Sequence, residues 1–183
     1  MISAAEWHLT VLDDSGIIGI ADVEHYPAFV GRGESFDAFL ASLARGTENG
    51  DGIAWGTGSE EDWRLSVRVG SPPCVGFRDL QTVLRLSSGE LVANELGTLY
   101  IDAERGEVTA RREGYVRTGL PPGFYACRVV QMYYLDDLDD DASTRDADFV
   151  IELQLCADGV LPATRFTAIP WQFGASDTAQ ERG

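Results

Sequence analysis

Period-two alternation dominates this chain. From Trp7 to Leu12, Trp7, Leu9 and Val11 take one face and His8, Thr10 and Leu12 the other, the signature of a half-buried strand. The turn cluster Asp13-Asp14-Ser15-Gly16 leads into an apolar run, Ile17 to Ala21, and the two segments predict an opening hairpin. Tyr26 to Gly33 reads as an irregular connection.

Ser35 to Arg45 breaks the pattern. Phe36, Phe39, Leu40 and Leu43 fall at i, i+3, i+4 and i+7, which predicts one short amphipathic helix with a core-facing stripe. Ser35 suits its N-cap, Asp37 the positive end of its dipole, and Gly46 its C-terminus.

Alternation then resumes. A short strand is expected at Ile53 to Trp55, after a loop over Thr47 to Gly52. Trp63 to Val69 places Trp63, Leu65, Val67 and Val69 inward and Arg64, Ser66 and Arg68 outward. Gly70 to Gly76, with Pro72-Pro73, breaks the chain. Leu80 to Leu86 turns through Ser87-Ser88-Gly89 into Leu91 to Glu95. A further hairpin is expected from Leu99 to Asp102 and Glu107 to Arg111. Pro121-Pro122-Gly123 opens a long strand, Phe124 to Tyr134, which returns as Phe149 to Cys156.

Short strands with frequent turns predict a mainly β protein, an antiparallel sandwich or barrel, with one helix near residues 35–45. Trp63 to Val69 and Tyr125 to Val130 are both aromatic-led strands after glycine-containing loops, so two related β halves are an option. Residues 1–174 are expected to form one compact β-rich domain, with a subdivision near 70–77 as the alternative, and 175–183 a polar tail. The aromatic residues Trp55, Trp63, Phe124, Tyr125, Tyr133, Tyr134, Trp171 and Phe173 are expected mostly in the core.

Charge changes the picture. The chain carries 30 acidic and 14 basic residues, a formal net charge of −16, and all 14 basic residues are arginine. Phosphate backbones and anionic membranes repel such a chain, so neither is an expected ligand. A basic protein partner is expected instead. The N-terminal segment shows no secretory signal, and no apolar run is long enough to span a bilayer, so the cytoplasm is the expected location. The cysteines Cys74, Cys127 and Cys156 have no metal-binding spacing and read as free thiols. No cofactor is expected, and the pattern is silent on oligomeric state.

The acid concentrates between the two C-terminal strands. Asp136, Asp137, Asp139, Asp140 and Asp141, beside Tyr134, are the candidate partner-binding residues. Asp137, Asp139, Asp141 and Asp148 match positions 1, 3, 5 and 12 of a calcium loop, but Ala142 stands where that loop needs glycine, and Asp148 is shorter than the bidentate glutamate. The competing reading is a small-molecule or calcium-binding β domain. Catalysis is not expected. His8 and His25 lie beside no recognisable nucleophile motif, and Gly56-Thr57-Gly58-Ser59 lacks the lysine of a phosphate-binding loop.

Two segments carry a resemblance. Leu120-Pro121-Pro122-Gly123-Phe124-Tyr125, then Ala147-Asp148-Phe149-Val150-Ile151 after an acidic loop, resemble the C-terminal half of the competence-operon inhibitors of the DNA-entry nuclease. Similar strands recur in small bacterial immunity-type β proteins. Phe149 stands where that family has tyrosine. The resemblance implies an intracellular, non-enzymatic inhibitor that blocks a nuclease or toxin, and it implies no catalytic residues.

Overall fold

A computed structural model describes residues 4–32, 35–133, 146–156 and 165–172. Among the described residues, nine strands form two sheets. The five-stranded sheet contains β1 (Ala5–Leu12), β4 (Asp62–Val69), β9 (Phe149–Leu155), β8 (Gly123–Gln131) and β5 (Arg78–Leu86), in that spatial order. The four-stranded sheet runs β3 (Ile53–Gly56), β2 (Ile17–Asp22), β6 (Glu90–Glu95), β7 (Tyr115–Arg117). The sheets face each other, as the alternation predicts for a sandwich.

Between them lies the main core. Inward residues of β4, β8 and β9, such as Leu65, Val67, Val129 and Ile151, meet Ile18, Ile20, Trp55 and Leu91 of the other sheet. Phe149 packs edge-on against both Trp55 and Trp63, with ring centroids 5.7 and 5.2 Å apart. Tyr125 is also fully buried.

A second apolar layer covers the back of the four-stranded sheet. Three helices supply it: α1 (Tyr26–Val30), α2 (Phe36–Asn49) and α3 (Leu96–Arg105). The predicted helix is thus confirmed and extended. Ser35 Oγ accepts from the Ala38 amide, but the helix runs through Gly46 and caps at Gly50 in the left-handed region. Gly46 serves close approach rather than termination, since a Cβ there would lie 2.8 Å from the Phe29 ring. Of the expected stripe, Phe39 and Leu43 are buried, whereas Phe36 is half exposed and leans on Tyr100.

Several local expectations fail for identifiable reasons. The hairpin at Leu99 to Arg111 is instead helix α3 and the chain after it. Leu96, Leu99 and Ala103 make a buried 3.6-period stripe. The Glu95 carboxylate accepts from the Gly97 and Thr98 amides at the helix start, and Gly106 closes its end in the left-handed region. Tyr26 to Val30 is helical, with Pro27 in its first turn. β8 ends at Gln131 rather than Tyr134.

The opening hairpin does not form either. β1 pairs with β4, and β2 pairs with β3 and β6 in the other sheet. β2 is buried at every position, between the sandwich core and the helices, so it needs a strand on each edge and a layer on each face. Asp13 makes the turn between the sheets, its carboxylate accepting from the Ser15 and Gly16 amides, the Thr57 hydroxyl and Trp63 Nε1. β5 and β6 likewise lie in different sheets. β9 runs parallel to β4 and antiparallel to β8, so the larger sheet is mixed rather than purely antiparallel.

Close to the C-terminus, Ile169 enters the helical-layer core, and the Pro170 carbonyl accepts the Gly56 amide on the outer edge of β3. Among the described residues, no helix is long and apolar enough to cross a membrane.

Asp22 fastens the inter-sheet turn after β5. Fully buried, it accepts from the amides of Glu24, Ser87, Ser88 and Gly89. Replacing it with alanine leaves those donors unpaired, so Asp22→Ala is expected to cost about 3 kcal/mol or more in urea unfolding.

Candidate functional site

The described chain stops at Tyr133 and resumes at Asp146. Tyr134, Asp136, Asp137, Asp139, Asp140 and Asp141 lie outside the described residues, as do 173–183. What the structure does define is the pair of roots from which the acidic connection springs.

One root is Gln131, buried at the end of β8. Its amide donates to the Tyr133 carbonyl at 2.9 Å, and its oxygen accepts from Arg78 Nε at 2.7 Å. The Arg78 guanidinium in turn lies over the Trp171 ring, 4.3 Å from its centre. The other root is Asp148. Its carboxylate accepts from the Arg64 amide at 2.9 Å and pairs with Arg64 Nε at 3.4 Å. The Met132 amide donates to the Asp148 carbonyl at 2.9 Å, which ties the two roots together. Asp148, a candidate calcium ligand in the sequence, is 5% exposed and directed at β4. Among the described residues, no group of three or more histidine, cysteine, aspartate or glutamate residues could hold a metal ion.

The outer face of the five-stranded sheet holds the second feature. Strand register places Glu6, Arg68, Glu152, Arg128 and Gln81 in one row across all five strands. Charges alternate along it. Arg68 pairs with Glu6 at 2.9 Å, and Arg128 pairs with both Glu152 and Asp79 at 3.0 Å. Ser66 Oγ donates to Glu6 at 2.6 Å. That hydrogen bond, with Arg68 assisting, holds the Glu6 carboxyl below the usual carboxylate range. Asp79, and then Glu152, raise the already high pKa of Arg128.

The segment between β4 and β5, a mere chain break in the sequence, straps over this row. The Cys74 amide donates to Glu152 at 2.6 Å, and the Cys74 carbonyl accepts from Arg128 at 2.9 Å. Val130, Ala147 and Val150 form a small apolar cluster against Cys74 and Met132. Beside the strap opens a cavity of about 1000 Å3, lined by Pro73, Cys74, Val75, Ala126, Glu152 and Gln154, among others. Sequence reasoning assigned none of these a role. The available signal was the polar face of each strand: Arg68 and Glu152 both fall on outward positions.

The histidines are placed differently from one another. His8 is exposed on the outer face, 3.9 Å from Glu6. His25 Nε2 lies 2.7 Å from Ser87 Oγ, a pairing hidden in the sequence by a separation of 62 residues. A hydroxyl beside an imidazole is a fragment of acyl-transfer machinery, but the amides of Ser87, Ser88 and Gly89, which would have to receive an oxyanion, all donate to Asp22. Neither histidine lines the cavity. The contact fastens a turn.

No family model and no curated protein matches the chain. Among solved structures, the chain is similar to one described as Crocagin biosynthetic gene J, at 19% identity and a TM-score of 0.50, covering 84% of this chain and 97% of that one. It is also similar to ComJ, the inhibitor of the DNA degrading activity of NucA from Bacillus subtilis, at 11% identity and a TM-score of 0.49, covering 85% and 99%. At 19% identity the first likeness is one of fold alone, and neither likeness carries a function to this chain.

Cys74 reports on the strap chemically. Burial, with Glu152 adding to it, pushes its thiol up to about 11 from 9.0. Thiolate is the reactive form, so alkylation of Cys74 near pH 8 is expected to run about 100-fold slower than that of an unperturbed thiol. Peptide mapping after iodoacetamide treatment measures it.

Proposed function

We propose that this chain is a non-catalytic, acidic binding protein that occludes the basic surface of a nuclease or toxin. The observation that carries the reading is the charge. The net formal charge is −16, and Arg64, Arg68, Arg117 and Arg128 are each engaged by a carboxylate of the chain itself. Four of the 14 arginines are thus paired internally, and against 30 acidic residues the net field is acidic. A nuclease cleft is basic because it binds phosphate, so an acidic surface suits it electrostatically. The sequence resemblance over Leu120 to Glu152 implies the same role.

In this reading Asp136, Asp137, Asp139, Asp140 and Asp141, with Tyr134, make the partner contact. A hydrogen bond of 2.9 Å from the Met132 amide to the Asp148 carbonyl ties together the strand ends from which the connection springs. Anchored ends reduce the ordering cost of binding. The cytoplasm is the compartment where such a partner would be met.

The test is a pull-down from the native host at low and high salt, followed by an assay of nuclease activity on what is retained. A basic protein is expected at low salt, with its activity suppressed by the added chain. Exchanging the five aspartates for asparagine is expected to slow association about tenfold at low salt. If no basic protein is retained at low salt, the reading fails.

A further inference from the structure

Four apolar side chains stand in water on the strap between β4 and β5. Pro72, Pro73, Val75 and Phe77 are all exposed, Val75 at 90% and Phe77 at 51%. Residues 70–77 carry no charge, in a chain where 24% of residues are charged. Apolar side chains scattered singly over a surface need no explanation, but a run of them on one segment marks a contact.

The backbone beneath that run is held on both sides of Val75. Before it, the Cys74 amide donates to Glu152 at 2.6 Å and the Cys74 carbonyl accepts from Arg128 at 2.9 Å. After it, the Phe77 amide donates to the Gln131 carbonyl at 2.8 Å. Gly76 lies so close that a Cβ there would sit 2.4 Å from the same oxygen. Pro72 and Pro73 lock their own φ angles ahead of these anchors. Val75 therefore projects from a backbone that folding has already ordered, which lowers the entropic cost of docking it.

The same anchors join the strap to the acidic connection. Gly76 and Phe77 both meet Gln131, and Cys74 Sγ lies 3.9 Å from Met132 Sδ. Gln131 and Met132 are the β8 root of that connection. The apolar tip and the start of the acid share one support.

We infer that Val75 and Phe77 are the apolar anchor of the partner contact, seated in an uncharged hollow that borders the partner's basic surface. Continuity selects the occupant: a protein held by the acidic connection lies beside the tip at the connection's root. The two parts do different work. Charges steer the approach and raise the association rate, whereas desolvated apolar contacts set how slowly the complex comes apart. The assignment rests on the reading of a basic nuclease or toxin partner and adds to it a chemically different contact.

The probe is the basic protein retained by the full chain at low salt, purified and measured by surface plasmon resonance at low and high salt. Val75→Ser is expected to speed dissociation about tenfold at both and to leave association unchanged. Phe77→Ser is expected to act in the same direction, and Val75→Ile to keep the original rate. Thermal unfolding confirms that each variant folds. Photoreactive benzoylphenylalanine in place of Val75 is expected to cross-link the probe, and in place of Ile101, exposed on the helical layer, to leave it unlabelled.

If the probe binds but Val75→Ser leaves its dissociation unchanged, or position 75 labels a second copy of the chain, the apolar anchor falls and the acidic contact stands. If exchanging Asp136, Asp137, Asp139, Asp140 and Asp141 for asparagine leaves association unchanged while Val75→Ser speeds dissociation, the acidic contact falls and the anchor stands. A chain that retains no basic protein overturns both.

Discussion

Everything in the five-stranded sheet depends on β9 entering between β4 and β8. Without it the sheet is two separate pairs, β1 with β4 and β5 with β8. Phe149, the first residue of β9, meets Trp55 and Trp63 from the two facing sheets. Asp148, immediately before it, satisfies Arg64 on β4. One short segment therefore joins the pairs, closes the sandwich and positions both roots of the acidic connection. Because β9 pairs with β4 from some eighty residues away, this pairing closes a far longer loop than a hairpin does, and its entropic cost is correspondingly greater.

The sequence made the strands legible because burial on one face imposes period two. Trp63 to Val69 and Phe149 to Leu155 follow their predicted alternation. Pairing was another matter. Asp13 and Asp22 look like ordinary turn residues, yet each is a buried acceptor whose carboxylate steers the chain between sheets. Nothing local distinguishes such a crossing from a hairpin. Helix α3 was obscured because Thr98, Tyr100 and Ile101 favour strands, while its cap is supplied by Glu95, an unusual residue for that position.

The site was legible in part for a related reason. Acid density could be counted, so the connection after Tyr133 stood out. The charged row could not, since Glu6, Arg68, Glu152 and Arg128 become neighbours only through register across strands distant in sequence. The strap over that row reads as a proline-rich break, and its Cys74 backbone contacts leave no trace in residue type.

The bond between Gly56 and Pro170 has a consequence for colloidal behaviour. β3 is the outermost strand of its sheet, and a bare edge invites other chains to add on. Here the Gly56 amide is already taken, and a Cβ at that glycine would collide with the Trp171 carbonyl at 2.2 Å. The chain thus sheathes that edge with its own segment, and Gly56 is what lets the sheath lie flat. Losing residues 165–172 would bare the Gly56 amide and leave that edge of the sheet open to an added strand.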